Sequence, residues 1–313
     1  MPQFSVVMPL YNKQDFVADA VRSVLSQTLA DFELIVVDDS STDASVQIVT
    51  NFDDPRISIV RHPANLGLSA ARNTGIEHAR AVFVAFLDAD DLWNDDFLQQ
   101  IDKLIQHFPE AGIFATSYRE DRNDGQSVPL KLNLPAIPPV QSGIIDDYFE
   151  AARFQPPYWF GSVAVRKCVF EDVGFFDPNI TFGEDTDWNI RANLRHKCAF
   201  LNEPHAVYRI SSQNQITASK LSGRIITDFD KYEQDNRTNQ SLKKFLDANR
   251  YFLAMMYKLE GANNSLLELR KKINPINLTR TQRFMLAAPL WMVRLAKKIK
   301  NALLRKKIRV TSF

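Results

Sequence analysis

The sequence predicts an α/β protein with a mainly parallel sheet flanked by helices, and three observations carry that reading. Short apolar runs rich in Val, Ile and Phe, at 4–10, 32–37, 57–61 and 82–87, alternate with segments of helical periodicity. This alternation is the βαβ pattern of a parallel sheet. Three of the runs end in polar residues: Tyr11-Asn12, Asp38-Asp39 and Asp88-Ala89-Asp90-Asp91. Right-handed crossovers bring the carboxyl ends of such strands to one rim, where open α/β sheets bind ligands.

Each element has its own signal. The first run, Phe4 to Leu10, is closed by Pro9 and the turn residues Tyr11-Asn12. Asp15 to Gln27 carries apolar residues at 16, 17, 20, 21, 24 and 25, the spacing of an amphipathic helix. After the strand at 32–37, Ser40-Ser41-Thr42-Asp43 supplies N-cap chemistry for a helix reaching Thr50. A third strand at 57–61 and the turn-rich His62 to Gly67 precede a helix over 69–79. Beyond Leu92 a helix is expected at 95–108, a strand at 113–118, a proline-containing loop at 119–143, a strand at 158–165 and a helix at 166–173. The loop either frames a substrate site or is a surface excursion. Residues 217–273 read as mostly helical, with Ile225, Phe229, Tyr232, Phe245, Phe252, Met256 and Leu259 as packing positions.

Two acidic clusters carry the chemistry. In extended chain Asp88 and Asp90 would share a face, since side chains alternate with period two. Like charges facing one way call for a cation between them, and Mg²⁺ is typically held by one or two carboxylates plus substrate phosphates. The competing reading is that these acids cap a helix starting near Trp93. Glu184, Asp185 and Asp187 open a later helix. There they either complement its dipole or hold a carboxylate ready as a general base, and spacing leaves both open. No G-x-G-x-x-G or P-loop follows the first strand. Phosphates would therefore be held by a metal on the Asp pair rather than by a glycine-rich turn.

Composition sets the outer bounds. The 313 residues, 45% hydrophobic and 24% charged, suffice for one large globular domain with an appendage. Cys168 and Cys198 lie in no metal-type spacing and read as reduced thiols, with a lone disulfide as the alternative. The amino terminus lacks a signal-peptide pattern, and no apolar stretch reaches the ~18 residues a spanning helix needs. From Arg280 onward there are ten Lys/Arg and no acid, so a net +1 hides a body of −9 and a tail of +10. That asymmetry suggests an anionic partner for the tail. From Pro289 the tail is helical in pattern, with Ala288, Met292, Leu295, Ala296, Ile299 and Leu303 on one face. Arg294, Lys297, Lys298 and Arg305 lie largely on the other. A basic amphipathic helix with Trp291 at its entry belongs at a membrane interface, through residues 288–309; the alternative is packing on its own domain or a partner subunit. No aromatic-basic surface motif accompanies it, so nucleic acid is not an expected partner.

Several stretches together resemble the family 2 glycosyltransferases, which have the GT-A fold. They are Ser5-Val6-Val7-Met8-Pro9-Leu10-Tyr11-Asn12, Ile35-Val36-Val37-Asp38-Asp39-Ser40-Ser41-Thr42-Asp43, Asn65-Leu66-Gly67-Leu68-Ser69-Ala70-Ala71-Arg72-Asn73 and Phe86-Leu87-Asp88-Ala89-Asp90-Asp91. Val173-Gly174-Phe175-Phe176-Asp177 and Gly183-Glu184-Asp185-Thr186-Asp187-Trp188 also fit. The resemblance spans roughly residues 3–210.

It implies a donor site in which Pro9 and Tyr11 lie at the nucleobase, Asp39 bonds the base edge and Arg72 lies beside the nucleotide. Asp88 would contact the ribose or the metal, and Asp90 would ligate Mg²⁺ or Mn²⁺ on the diphosphate. Asp185 would be the general base for the acceptor hydroxyl, with Glu184 beside it. The implied reaction is inverting transfer from a nucleotide sugar, uridine-linked, to a glycan or lipid-linked acceptor in cell-surface glycan synthesis. The protein would be cytoplasmic and peripheral at the inner membrane face. The implied layout is a catalytic domain at 1–215, divided into a nucleotide-binding half at 1–91 and an acceptor half at 92–215. A helical extension at 216–278 and the basic tail at 279–313 would follow. One departure is that Tyr208-Arg209-Ile210 is followed by Ser211-Ser212, where many members place a His. A nucleotidyltransferase, for which Lys13 is the one supporting residue, and a non-catalytic sugar-nucleotide-binding protein are the alternatives.

Overall fold

The computed structural model describes residues 1–121, 127, 128, 130, 132–210 and 220–305. The chain opens with strand β1 (Phe4–Leu10), helix α1 (Val17–Leu25), β2 (Phe32–Asp38), α2 (Ser45–Thr50), β3 (Ile57–Arg61), α3 (Leu68–His78) and β4 (Phe83–Phe86). Next come β5 (Leu92–Trp93), α4 (Phe97–His107), β6 (Ile113–Asp121), β7 (Ser127–Val128), β8 (Ser142–Ile144) and α5 (Tyr148–Ala152). They lead to β9 (Val163–Arg166), α6 (Lys167–Val173), α7 (Glu184–Asn193) and β10 (Cys198–Arg209). Five helices follow: α8 (Phe229–Asp235), α9 (Gln240–Glu260), α10 (Asn263–Lys272), α11 (Arg280–Ala287) and α12 (Leu290–Arg305).

One sheet, ordered β3-β2-β1-β4-β9-β6-β10-β5, runs through the protein, with β7 beside β6 and β8 beside β10. Strands β3, β2, β1 and β4 are mutually parallel. The sheet is mainly parallel, as expected, with short antiparallel strands set into it, among them β9, which is antiparallel to both β4 and β6. β9 is entered at the rim from a 3₁₀ turn at Phe160–Ser162, and antiparallel neighbours need no crossover helix. That turn takes up positions 160–162 of the strand expected at 158–165, which begins only at Val163. Since β9 reverses against both neighbours, β6 and the parallel β10 run the same way as β4, and all end at one rim.

Alternation along the strands splits the core into two layers. Val7, Ile35, Val37, Val84 and Phe86 pack with α3, α5, α6, α7, α8 and α9 on one face. Val6, Met8, Leu34, Val36 and Ala85 pack with α1, α2 and α4 on the other. β10 is absent from the sequence reading because Glu203-Pro204 interrupts its apolar run, and proline argues against a central strand. The structure absorbs Pro204 with register shifts between Leu201, Pro204 and Ala206, the behaviour of a β-bulge.

Two further departures lie in the extension. Residues 220–228 are not helical, and Ile225 and Phe252 are 56% and 51% exposed, whereas Phe229, Tyr232 and Phe245 are buried as expected. In the tail, Met285, Ala288 and Val293 are buried with Met255, Leu259, Met292 and Ala296, joining α11 and α12 to α9. The single apolar face expected of α12 is therefore divided. Met292, Val293 and Ala296 turn inward, while Trp291, Leu295, Ile299 and Phe284 of α11 stand 49–64% exposed. Arg294, Lys297 and Lys298 are also exposed; residues 306–309 of the expected membrane segment lie outside the described residues. No helix among the described residues is long and apolar enough to cross a membrane. Both cysteines are free thiols, Cys168 exposed and Cys198 buried.

Candidate active site

The rim gathers the acids in a different geometry from the one their spacing suggests. β4 ends at Phe86, and Asp88 to Asp91 form a turn closed by the Asp91 amide donating to the Asp88 carbonyl at 3.0 Å. They cap no helix: Trp93 lies in β5, and α4 begins only at Phe97. The turn gives each carboxylate its own partner. Asp88 Oδ1 accepts from Arg72 Nη2 at 3.2 Å, and Asp90 Oδ2 meets Lys13 Nζ at 2.7 Å. Asp91 points inward, accepting from the Arg209 amide at 2.8 Å and Trp159 Nε1 at 3.3 Å. Burial and the charges of Asp90 and Asp88 push its carboxyl well above the usual range.

Arg72 is the hub. It projects from α3 with a side chain only 1% exposed, over the adjoining rings of Phe160 and Phe176 at 5.0 and 5.3 Å. Its Nη1 bonds Asp185 Oδ1 and lies 3.8 Å from Glu184 Oε1. A buried guanidinium is costly unless paired. Here burial opposes its charge, but Asp185, Asp88 and Glu184 outweigh it and hold the group firmly protonated. One side chain thus ties the β4–β5 turn to the start of α7.

Burial, then the charge of Asp185, pushes the Glu184 carboxyl up to about 7 against the pull of Arg72. The Asp88 carboxyl is raised too: burial, Asp90 and Asp185 outweigh Arg72. Asp185 differs from Glu184 in access. Its side chain is 36% exposed against 9%. Both lie in the first turn of α7 with Asp187, as their spacing predicts, behind Gly183 in the left-handed region at φ 83°.

At the other end of the rim Tyr11 is 41% exposed just past β1. Pro9 is buried opposite Val37, where β1 has outrun β4 and is paired to β2 alone. Asp39 is buried and tightly engaged. It accepts from the Leu66 and Gly67 amides, both at 2.8 Å, and His62 Nδ1 lies 2.7 Å away. Asp38 instead accepts from the Ser41 amide and from Arg61. Sequence reasoning gave Lys13 a place only in the nucleotidyltransferase alternative and not beside Asp90, since one lysine after a strand has no distinctive spacing. It also did not foresee that Arg72 would bridge both acid clusters, because the contact spans 113 positions. His205 is buried against Asp96 at 2.8 Å, in keeping with a structural role. Ser211 and Ser212, which stand where a His was sought, lie outside the described residues.

A sheet whose parallel strand ends gather acids at one rim, in a chain that superposes on solved GT-A glycosyltransferases, defines a GT-A fold. The chain belongs to glycosyl transferase family 2, whose profile matches residues 5–170; Glu184 and Asp185 lie beyond that match. Among curated relatives, it is 43% identical over 137 residues to the putative teichuronic acid biosynthesis glycosyltransferase TuaG of Bacillus subtilis, covering 43% of this chain and 54% of that one. The matches span 44–63% of the length of the first three relatives. Among solved structures, S. aureus TarS in complex with UDP-GlcNAc superposes with a TM-score of 0.59 at 18% identity, covering 98% of this chain and 81% of TarS. The mannosyltransferase PcManGT from Pyrobaculum calidifontis, in complex with GDP-Man and Mn²⁺, does so with a TM-score of 0.59 at 18% identity, over 97% and 81%.

Proposed function

We propose that the protein is an inverting glycosyltransferase that moves a sugar from a uridine-linked nucleotide sugar to a hydroxyl of a polysaccharide or lipid-linked acceptor in cell-surface glycan synthesis. The observation that carries this reading is the Arg72 bridge, which sets the rim acids of the donor side against an accessible carboxylate, Asp185. Asp185 would accept the proton of the acceptor hydroxyl, which needs a carboxylate within hydrogen-bond reach. Arg72 would fix its orientation, while Glu184, held partly protonated near neutral pH, would keep the cluster from carrying excess negative charge. Tyr11 would offer its exposed ring to the nucleobase with Pro9 beneath, and Asp39 would shape the base pocket through the Leu66–Gly67 backbone it holds. The resemblance to TuaG, a putative teichuronic acid biosynthesis enzyme, supports the acceptor class, and the UDP-GlcNAc bound by TarS, which shares the fold, is in keeping with a uridine-linked donor.

A divalent cation fits the rim as a shared ligand rather than a caged one. Among the described residues no group of three or more His, Cys, Asp or Glu gathers as a metal site. Two carboxylates with a diphosphate suffice for Mg²⁺ or Mn²⁺, and Asp90 already holds a cation, the Lys13 ammonium, at 2.7 Å. Asp90, with Asp88 beside it, would hold the ion, which stabilises negative charge on the departing nucleoside diphosphate. Titration calorimetry with UDP tests this. Binding is expected to tighten when Mn²⁺ is added, and Asp90→Asn should remove that Mn²⁺ dependence; equal affinity with and without Mn²⁺ would refute it.

The tail would bring the enzyme to its acceptor at the inner membrane face. Phe284, Trp291, Leu295 and Ile299 form an exposed apolar stripe beside the exposed Arg294 and Lys298, which is suited to an anionic interface. Sedimentation with phosphatidylglycerol vesicles should pull down the full chain. The double variant Trp291→Ser, Leu295→Ser should bind at least tenfold more weakly, since burying only two fewer CH₂ groups at ~0.8 kcal/mol each already exceeds the ~1.4 kcal/mol of a tenfold change. Equal binding by both proteins would exclude this face.

A further inference from the structure

We propose that residues 224–232, outside the family match, form a strap whose two hydroxyls, Thr227 Oγ1 and Tyr232 Oη, fix the Gly183–Asp187 turn and so set the reach of Asp185. The inference rests on the transferase reading for its chemical consequence and on contacts alone for its structural one.

Gly183 begins α7 without a side chain, so this helix has no side-chain cap of its own. Its geometry is imposed from outside, and the anchors come from one segment. Ahead of the turn, the Thr181 and Phe182 amides donate to the Ile225 carbonyl at 2.9 and 3.2 Å, and the Ile225 amide donates to Thr181 Oγ1 at 2.9 Å. Arg224 Nη1 donates to the Thr181 carbonyl at 3.1 Å, and Phe182 and Ile226 form a parallel bridge. At the turn, Thr227 Oγ1 donates to the Gly183 carbonyl at 2.9 Å. Past it, Tyr232 Oη donates to Asp187 Oδ1 at 2.5 Å, while Arg191 takes Asp187 Oδ2 at 2.9 and 3.1 Å. Glu184 and Asp185 are thereby clamped on both sides.

These bonds also bear on why 220–228 leaves the helical pattern: the Ile225 amide and carbonyl are spent on Thr181 and Phe182, and the Leu221 and Ser222 amides on the Glu260 carboxylate. The strap is itself held, because Arg250 of α9 pairs with Asp230 at 2.9 Å and Glu233 at 2.7 Å in α8. Thr227 and Tyr232 are 3% and 6% exposed, so neither reaches substrate. They are positioning residues acting through Gly183 and Asp187. A misplacement of about 1 Å can cost roughly 10²-fold in rate, which makes such a clamp matter for the base.

The test compares Tyr232→Phe, Thr227→Val and Thr227→Ser in the full chain, by amide hydrogen exchange and by steady-state kinetics. Tyr232→Phe and Thr227→Val should speed exchange at 183–187 while leaving β1 and β4 protected. They should also lower kcat roughly tenfold or more with donor KM unchanged, and Thr227→Ser should restore both. Wild-type exchange at 183–187 in both variants would overturn the strap, as would loosening spread equally over β1 and β4. If the wild-type chain neither turns over a donor nor binds UDP in a metal-dependent way, the transferase reading fails on its own, and the exchange pattern still decides the strap.

Discussion

Asp185→Asn is expected to lower sugar transfer by roughly 10²–10⁴-fold, the span that a positioned general base contributes, while nucleotide affinity stays near the wild-type value. The separation follows from where Asp185 sits. It opens α7 on the acceptor side and reaches the donor-side acids only through Arg72. The amide preserves shape and can still accept from Nη1, so the hub keeps its bonds and two of its three counter-charges, Asp88 and Glu184, while losing the basic oxygen. Steady-state kinetics beside calorimetry reads both quantities. A variant that loses nucleotide binding in step with turnover would place Asp185 in donor recognition instead.

The second large effect concerns stability. Arg72→Met keeps much of the volume packed over Phe160 and Phe176 but removes the charge shared by Asp88, Glu184 and Asp185. Removing one partner of a buried ion pair costs about 3–5 kcal/mol, and here three carboxylates lose their counter-charge. The loss should depend on pH with a definite sign. Glu184 in the folded wild type already titrates at about 7, against ~4.3 for a free glutamate. Between those values the folded state holds a proton that the unfolded chain has released, so this group's contribution to stability falls as pH rises. Without Arg72 the Glu184 and Asp88 carboxyls rise further and the window widens. Denaturant unfolding should therefore show the variant's deficit larger at pH 8 than at pH 5. A deficit equal at both would mean that Arg72 acts through packing alone.

The parallel half of the sheet was legible because β1, β2 and β4 are buried on both faces, and such strands read as continuous apolar runs ending at the site. The acid clusters were legible as composition but not as geometry. Asp88 to Asp91 suggested an extended pair, whereas the chain turns and sends Asp88 to Arg72 and Asp90 to Lys13, contacts 16 and 77 positions away. No local period encodes such partners. β10 was hidden by Pro204, which only a tertiary bulge makes tolerable. The tail was read correctly as amphipathic in type, but its division into packed and exposed strips depends on α9, whose residues Met255 and Leu259 it meets. The strap failed to appear for a related reason: Ile225 looks like a helix position until Thr181 claims its backbone.

The most direct test of the central claim is nucleoside diphosphate release from a panel of nucleotide sugars with Mg²⁺ or Mn²⁺ and membrane glycolipid extract as acceptor, with and without chelator. The account predicts release from a uridine-linked donor, abolished by chelator and by Asp90→Asn. Release that persists undiminished in both would contradict the metal-bridged rim. Absence of release from every donor, together with absence of metal-dependent UDP binding, would contradict the transferase itself.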